Sequence, residues 1–352
     1  MEKLEGQRKK LYIHYVKEDL KNYARVADES ARKTEQYTTA LALEAEDLNR
    51  NAGRMDLSLD EITTEFETRK NEAGDKLLIK VDLCDSGAFL SLAVGCPRVP
   101  LSEDVMRQLK IYEAMKPSMM RMYDEVENID GVFLFDTQSN ILLFRTEYMF
   151  AEHFANLAGV DISTIYDWGL TFYDWFKFID RKNNPERRAL WSKIAFIAVE
   201  HDWITHLKAP MYKNRYLENE EMIGMASVHY NVDWLVTNTI SKSAVKMMVV
   251  KDDSTLIGLN DSAKRDIPLE TFNKNNWSSF NPFDPATTQQ KKKFVYETLN
   301  LDHGKSEDVA SFSVKLKSEF QFNHTLFGKN YTVLREKATE LGLNFIALLE
   351  AV

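Results

Sequence analysis

Three stretches decide the fold of this chain: NPERRALW (residues 184–191), WITHLKAPMY (residues 203–212) and EMIGMASVHYNVDWL (residues 221–235). The first is a polar turn with Pro185 that leads into the Arg-rich start of a helix. The second reads as a strand that ends in Ala-Pro-Met-Tyr at Tyr212. The third reads as a strand that opens near Gly224 and leads into a helix at Asp233. Together they predict a sheet of neighbouring strands with helices beside it.

Length and composition limit the class of protein. The chain has 352 residues, of which 44% are hydrophobic and 28% charged, enough for two or three globular domains. Its formal net charge of -9 argues against a nucleic-acid-binding surface, which needs a basic face. The short run Lys291–Lys293 is better explained as a solvated helix face. The 13 glycines form neither a GxGxxG motif nor a P-loop motif, so the sequence indicates no nucleotide cofactor.

The two cysteines and the lack of long apolar runs bear on the compartment. Cys84 and Cys96 lie 12 residues apart, a spacing that suits neither a CxxC pair nor a zinc knuckle. They form either a small-loop disulfide, which requires an oxidising compartment, or two buried thiols. No apolar run approaches the roughly 20 residues needed to cross a bilayer. No signal peptide precedes the first helix.

A long helix is predicted from about Glu5 to Asn49. Its length would be roughly 65–70 Å at about 1.5 Å per residue, which exceeds the size of one small domain. Its face of small and apolar residues either packs against the chain's own domains or forms a parallel dimer seam, and both can hold at different heights. That face consists of Val16, Leu20, Tyr23, Ala27, Ala31, Thr34, Thr38, Leu41, Ala45 and Leu48.

The rest of the chain repeats one pattern: two strands joined by a tight turn, then a helical insert, then further strands. This pattern predicts an α+β fold with two tandem antiparallel sheets and flanking helices. The predicted helices are Leu59–Asn71, the segment from Ser102 to about Glu125, most of Tyr148–Phe178, and Asp233–Ser243. The predicted strands are 77–83, 88–94, 131–136, 141–145, 203–212, 222–232, 244–250, 255–260, 310–320, 329–337 and 344–349, with a loop at 273–288.

Several of these motifs resemble those of the double Cache family, the extracytoplasmic sensor module of bacterial receptors. The strand Gly131–Asp136 resembles the family's first sheet strand with its terminal Asp. NPERRALW resembles a motif that precedes the pocket in one branch, and residues 209–212 resemble that branch's Ala-Pro-Val-Tyr strand end. Gly224 resembles the glycine that opens the next strand. The resemblance covers nearly the full length and implies two PAS-like sheets behind a long helix.

The resemblance implies an organisation and a function. Residues 1–74 correspond to the stalk helix and its connection, residues 75–243 to the membrane-distal ligand-binding module, and residues 244–352 to the membrane-proximal module. The protein would bind a small molecule in the distal module and signal to a cytoplasmic histidine kinase, chemoreceptor or cyclase. The resemblance further implies a periplasmic or extracellular location, no catalysis, and a homodimer through the N-terminal helix of the full-length receptor. Membrane helices removed from both ends of the fragment would anchor it.

Candidate ligand-binding residues lie in the first copy, which is rich in aromatic side chains that stack on a ligand and orient it. A protein carboxylate surrounded by aromatic rings can bind a ligand amine, and an arginine can bind a ligand carboxylate. The alternatives are a core role for each ring, and a surface or capping role for each charge. The candidates are Trp168, Tyr173, Trp175, Phe176, Arg187, Trp191, Asp202, Trp203, Tyr212 and His229.

Three of these candidates carry further expectations. Arg187 is the arginine most easily explained structurally, because it can tie the Asn-Pro turn to the sheet. His229 alternates with Tyr230 along a strand, so one of the two faces the pocket, and for His229 the role of a satisfied core histidine is favoured. Tyr173 stands where the amino-acid-sensing branch has Arg, so the sequence does not support an amino-acid ligand.

No catalytic or metal site is indicated. The sequence offers no Ser-His-Asp or Cys-His arrangement and no paired carboxylates for acid–base chemistry. His201 and His206 point in different directions from the start of a strand, which argues against a shared metal ion. The alternative function is a complete cytosolic α+β enzyme or scaffold with an unrecognised acidic site. Hydrophobic segments encoded outside both ends would support the sensor, and a natural start at Met1 with a stop after Val352 would support the alternative.

Overall fold

The computed structural model of the chain describes residues 2–54, 66–83, 89–94, 96–137, 142–146, 149–166, 179–197, 202–265, 301–303 and 307–351. Its helices are α1 (Glu2–Asn51), α2 (Glu103–Glu125), α3 (Phe150–Ala158), α4 (Ile162–Tyr166), α5 (Val232–Ile240), α6 (Asp261–Lys264) and α7 (Glu307–Ser318), with short 3-10 turns at Ala52–Arg54 and Leu301–His303.

The strands of the described residues are β1 (Glu67–Lys70), β2 (Lys76–Leu83), β3 (Phe89–Val94), β4 (Ile129–Asp136), β5 (Leu142–Thr146), β6 (Leu190–Trp191), β7 (Ala195–Ile197), β8 (Asp202–Lys213), β9 (Glu221–Asn231), β10 (Lys246–Lys251), β11 (Leu256–Leu259), β12 (Gln321–Leu326), β13 (Lys329–Ala338) and β14 (Leu343–Glu350). The predicted α+β class is therefore confirmed.

The chain divides into two compact units. The large-sheet unit comprises Lys33–Ile194 and Ile204–Tyr230, and the small-sheet unit comprises Met1–Arg32, Ala195–Trp203 and Asn231–Val352. The boundaries at residues 74 and 243 that the sequence suggests remain a prediction.

The large-sheet unit is built on an antiparallel sheet with strand order β1-β2-β3-β5-β4-β9-β8-β6. The predicted hairpin of β4 and β5 is confirmed, with Phe133 opposite Phe144. On the other side of β4, Phe133 lies opposite Ser227 and Phe135 opposite Met225 of β9. Phe133, Phe135 and Met225 belong to one core cluster, so this sheet face packs inward. Side chains alternate along a strand, and Leu134 therefore lies on the opposite face.

Helix α2 packs on β4. Ser102 caps its N-terminus, as predicted, by accepting a hydrogen bond from the Val105 N–H at 3.3 Å. Met115, Met119 and Met122 recur at helical spacing and are almost fully buried. The Tyr112 hydroxyl donates to the carbonyl of Leu134 at 3.4 Å, which joins α2 directly to β4.

The small-sheet unit holds an antiparallel sheet with strand order β11-β10-β14-β13-β12. One face packs on α7, whose Val309, Phe312 and Leu316 join the core cluster of Met248 and Ile346. The predicted strands at residues 329–337 and 344–349 are confirmed as β13 and β14.

The predicted strand at residues 310–320 is wrong, because Glu307–Ser318 is helix α7. The segment alternates apolar and polar residues from Phe312 to Leu316, which imitates a strand. Val314, the middle apolar residue of that alternation, is 65% exposed, whereas Val309, Phe312 and Leu316 are buried at helical spacing. The strand β12 that follows was not predicted.

Two helix predictions are also wrong. NPERRALW forms turns and then the short strand β6, because the Asn184 side chain bonds with both the N–H and the carbonyl of Arg188 and closes the turn. Arg187 adopts a positive φ of 56°, which no helix continues. In the predicted helix Leu59–Asn71, the described part contains the strand β1, which pairs with β2. The turn at 138–140, the loop at 273–288, Cys84 and residues 167–178 lie outside the described residues.

The long N-terminal helix is confirmed. Helix α1 has 50 residues, and most of its predicted apolar face is buried. The buried members of that face are Val16, Leu20, Ala27, Ala31, Thr34, Thr38, Leu41 and Ala45. Among the described helices, none is both long and apolar enough to cross a bilayer.

Candidate functional site

The predicted site residues fall into three groups. Trp168, Tyr173, Trp175 and Phe176 lie outside the described residues. Arg187, Trp191, Tyr212 and His229 lie in the large-sheet unit, and Asp202 and Trp203 lie in the small-sheet unit. Their role as ligand contacts remains a prediction.

Arg187 takes part in a structural ion pair. Its Nε lies 2.8 Å from a carboxylate oxygen of Glu220, and the Glu220 side chain is fully buried. Its Nη1 also donates to the carbonyl of Pro185 at 2.5 Å. These contacts tie the Asn-Pro turn to the end of the β8–β9 connection, as the structural explanation of Arg187 expects.

Tyr212 lies at the end of β8 in a second buried ion-pair system. The Tyr212 N–H donates to Glu46 of α1 at 2.7 Å, and Arg215 Nε lies 3.0 Å from both Glu46 oxygens. The Arg215 guanidinium also stacks 4.9 Å from the centre of the Tyr212 ring. The Tyr212 hydroxyl donates a long hydrogen bond of 3.5 Å to the carbonyl of Ile179. Strand β8 is thereby fixed to helix α1 within the large-sheet unit.

The pairing of β6 with β8 decides which side chains share a sheet face. Leu190 lies opposite Lys208, and Trp191 lies opposite Leu207. Because side chains alternate along a strand, Lys208 faces one side with Leu190, and Trp191 faces the other side with Leu207. Trp191 packs edge-on against Tyr230, with ring centres 5.3 Å apart, and its buried indole N–H has no hydrogen-bond partner among the described residues.

Asp202 and Trp203 take part in a hydrogen-bond network of the small-sheet unit. Asp202 accepts from the Asn231 side chain at 3.0 Å, and the Trp203 N–H donates to Asp233 at 2.6 Å. Burial raises the pKa of Asp233 to about 6, and the nearby charge of Asp202 acts in the same direction. Asp202 and Trp203 thus belong to a different unit from the other described candidates.

His229 belongs to a group of buried polar side chains on the inward face of the large sheet, named here the polar cluster: His206, Lys208, Ser227 and His229. The His229 ring centre lies 4.1 Å from that of His206 and 4.4 Å from that of Phe133. Ser227 lies opposite Phe133 in register. The cluster therefore spans two adjacent strands, β8 and β9, with the apolar Phe133 of β4 at its side.

Burial controls the charges of the polar cluster. Burial, followed by the charge of Lys208, lowers the pKa of His229 to about 3. Burial also lowers the pKa of His206 well below its ordinary value, and the charges of His229 and Lys208 add to this decrease. The pKa of Lys208 decreases through burial to about 8. At neutral pH both imidazoles are neutral and Lys208 is mostly protonated, so Lys208 gives the cluster its positive charge.

Two polar atoms of the cluster have no hydrogen-bond partner among the described residues: His229 Nε2 and Ser227 Oγ. The other ring nitrogen, Nδ1, lies 3.7 Å from a carboxylate oxygen of Asp130. A buried polar atom without a partner costs about 1–3 kcal/mol, and buried polar atoms are normally paired. His229 is therefore not a fully satisfied core histidine, and a neutral imidazole with a hydroxyl can exchange hydrogen bonds with a polar molecule.

Lys208 and Ser227 are not among the residues predicted from the sequence, and His206 was considered there only as a metal ligand. The sequence does contain a signal for Lys208, because this charged residue is flanked by the apolar Leu207 and Ala209 in a strand that reads as buried. The roles of Ser227 and His206 depend on the pairing of strands that are distant in sequence. Among the described residues, no group of three His, Cys, Asp or Glu side chains could hold a metal ion.

No family model matches the sequence, and no curated protein does. Solved structures are similar over most of the chain. The extracellular domain of the putative histidine kinase mmHK1S-Z2 is 12% identical, with a TM-score of 0.45 and coverage of 97% of each chain. The sensory domain of the Campylobacter jejuni chemoreceptor Tlp3 with isoleucine bound is 10% identical, with a TM-score of 0.43 and coverage of 97% of this chain and 95% of that one. The ligand-binding domain of Tlp3 in complex with L-valine is 9% identical, with a TM-score of 0.44 and coverage of 96% and 94%.

Proposed function

We propose that this chain is the extracytoplasmic sensor domain of a membrane receptor, which binds a small molecule and passes the signal to a cytoplasmic kinase, chemotaxis or cyclase output. The observation that carries the proposal is the polar cluster of the large-sheet unit. The sequence motifs that resemble the double Cache family support the extracytoplasmic location and the type of output. In this proposal the chain itself catalyses no reaction.

The chemistry of the polar cluster selects the kind of ligand. Lys208 is buried and mostly protonated at neutral pH, so it favours an anionic group. Ser227 Oγ and His229 Nε2 need hydrogen-bond partners, and Phe133 provides an apolar surface next to them. The proposed ligand is a small molecule with an anionic group and a second polar group, attached to a short apolar part.

The contacts of β8 offer a route for the signal. Lys208 and Tyr212 lie on the same strand, and Tyr212 and Arg215 are held by Glu46 of α1. A ligand that binds Lys208 and shifts its side chain would alter the position of β8. The contacts of Glu46 with Tyr212 and Arg215 would then change as well. Hydrogen exchange measured with and without ligand tests this step, because the amides of α1 near Glu46 should then change protection. Unchanged protection in α1, with changed protection in β8, would refute it.

The binding proposal is tested by a thermal-shift screen of the purified protein against organic acids, amines, nucleobases and sugars. A ligand at a hundredfold excess over its Kd stabilises the folded state by about 2.7 kcal/mol. We expect organic anions to give the response, and we expect Lys208→Met and His229→Leu to abolish the response to at least one of them.

The control for this screen is Lys213→Met, which removes an exposed lysine from the same strand. It should keep the response. If every response survived Lys208→Met and His229→Leu, or if Lys213→Met removed the same responses, a ligand site at the polar cluster would be contradicted.

The N-terminal part of α1 supports the proposed homodimer. Leu4, Leu11 and Tyr15 are 60%, 53% and 60% exposed, although they are large apolar residues on one helix. A second copy of the same helix would cover them. Sedimentation of Leu11→Glu should show weaker association than the parent, whereas Val314→Glu, at an exposed apolar position of α7, should not. A chain that stays monomeric at every concentration would refute self-association through this helix.

A further inference from the structure

We propose that the small-sheet unit holds a second binding site, which takes a small hydroxycarboxylate. The site is a cavity of about 280 Å³ beside α7, bounded by the end of that helix and by β10, β13 and β14. It is independent of the polar cluster, which lies in the other unit.

The register of the sheet brings the lining side chains onto one face. Arg335 lies opposite Ile346, and Asn344 lies opposite Val250. Ile346 and Val250 belong to the core cluster that packs on α7. Residues two apart on a strand share a face, so Arg335 and Asn344 point toward the α7 side of the sheet.

Arg335 supplies a buried donor to the cavity. Its Nη1 donates to the carbonyl of Leu316 at the end of α7, and its guanidinium lies 4.7 Å from the centre of the Phe320 ring. These contacts hold the guanidinium in place but leave its Nε buried without a hydrogen-bond partner. Among the described residues, no carboxylate forms an ion pair with Arg335. A bound anion would give this N–H a charge-assisted partner.

Asn344 supplies a buried acceptor. Its side-chain nitrogen donates to the carbonyl of Val250 at 3.2 Å and to Asp252 at 3.1 Å, so the amide orientation is fixed by two bonds. Its Oδ1 is buried without a partner among the described residues, and the residue is only 7% exposed. A ligand hydroxyl or amine could donate to this oxygen.

The charges around the cavity favour an anion. Among the described residues, its lining contains four basic residues and one acidic residue, Asp252. Three of the bases also have acidic partners: Lys337 with Asp252 at 2.7 Å, Lys251 with Asp253 at 2.9 Å, and Lys317 with Asp302 at 2.6 Å. Arg335 therefore remains the cation that a ligand carboxylate would neutralise. A ligand ammonium would be repelled by these bases, so a hydroxyl is the better donor for Asn344.

The volume sets the size of the ligand. A cavity of about 280 Å³ lies just under the usual range of about 300–1,000 Å³ for small-molecule sites. It therefore suits a small acid such as lactate, glycerate or malate. A carboxylate at Arg335 and a hydroxyl at Asn344 would satisfy both unpartnered atoms at once.

The test is calorimetric titration of the full chain with matched compounds. Lactate has both groups, propionate lacks the hydroxyl, and lactamide lacks the charge; glycerate and malate extend the series. We expect at least one hydroxycarboxylate to bind with a Kd of about 1 mM or tighter, and both propionate and lactamide to bind about tenfold more weakly than lactate.

Variants place the binding in the cavity. Arg335→Gln should weaken binding about tenfold or more. Lys264→Gln removes an exposed lysine of the same unit and should leave binding unchanged. Lys208→Met removes binding at the polar cluster, so the binding that remains in this variant and is lost in Arg335→Gln belongs to the cavity. Asn344→Ala should abolish the preference for lactate over propionate. This preference is the ratio of the two Kd values, and it can be measured even if Arg335→Gln does not fold.

Three results would overturn the second site. The first is a blank titration with every hydroxycarboxylate at concentrations up to about 10 mM, well above the expected Kd. The second is an equal effect of Arg335→Gln and Lys264→Gln. The third is binding that Lys208→Met removes and Asn344→Ala does not alter, which would assign the response to the polar cluster.

Discussion

Replacing Lys208 by Met should stabilise the protein at neutral pH while removing the ligand response of the polar cluster. Lys208 is only 4% exposed, and burial lowers its pKa from 10.5 to about 8. At about 1.36 kcal/mol per pH unit, this difference corresponds to an energetic cost of up to about 3 kcal/mol for the buried charge. Met has a similar unbranched shape, so the substitution removes the charge without opening a large cavity.

The sign of the pH dependence follows from the two protonation states. Below about pH 8 the lysine is charged in both the folded and the unfolded chain, and the full cost of burial is present. Between about pH 8 and pH 10.5 the folded chain loses the proton while the unfolded chain keeps it, so the folded state gains stability as pH rises. The stability advantage of Lys208→Met should therefore be largest near neutral pH and should shrink at alkaline pH.

Urea unfolding of both proteins at about pH 7 and about pH 10 measures this difference, since the two values bracket the native pKa. Other groups titrate in the same range, but they are common to both proteins and cancel in the comparison. Lys213→Met, at an exposed position of the same strand, should show no such change with pH. A Lys208→Met protein that is less stable than the parent at neutral pH would refute the reasoning. A pH-independent difference would also refute it.

Three further substitutions test other parts of the structure. Glu46→Ala leaves the buried Arg215 guanidinium without its carboxylate, so guanidinium chloride unfolding should show a loss of about 3–5 kcal/mol. Asp233→Asn should gain stability relative to the parent as pH rises from about 4 to about 6, because the pKa of the folded carboxyl is raised to about 6 and its ionisation destabilises the fold. An equal stability difference between Asp233→Asn and the parent at both pH values would contradict the raised pKa of Asp233. Gly224→Ala should lower the melting temperature, because its Cβ would collide with a backbone carbonyl of β4, whereas Gly53→Ala meets no atom within 4 Å and should not.

Patterns within one element were sufficient to predict much of the fold. The face of α1, the cap at Ser102 and the hairpin of β4 and β5 all depend on residues close together in sequence, and all three are confirmed. Helix α7 was mistaken for a strand because Phe312, Val314 and Leu316 alternate with polar residues. Only the tertiary structure shows that Val314 faces solvent while the helical face of Phe312 and Leu316 is buried.

The candidate sites were harder to predict, because they depend on contacts between distant parts of the chain. The polar cluster requires β8 and β9 to lie side by side, which brings His206 and His229 together. The cavity of the small-sheet unit requires Arg335 and Asn344 to point to the same side of the sheet. That side is covered by α7, which the sequence pattern predicted as a strand. A buried Lys208 was visible in the sequence as a charge in an apolar strand, but its neighbours were not.

The positions of the two units along the chain set the order in which the units can be completed during synthesis. All of the large-sheet unit lies within residues 33–230, whereas the small-sheet unit needs Met1–Arg32 and Ala195–Trp203 together with Asn231–Val352. Domains generally fold as units while the chain emerges from its N-terminus. The large-sheet unit can assemble while the strands β10–β14 are still being made. During that interval Leu20 and Ala27, both buried in the finished protein, have no small-sheet core to join, so this part of α1 stays uncovered until the C-terminal strands are complete.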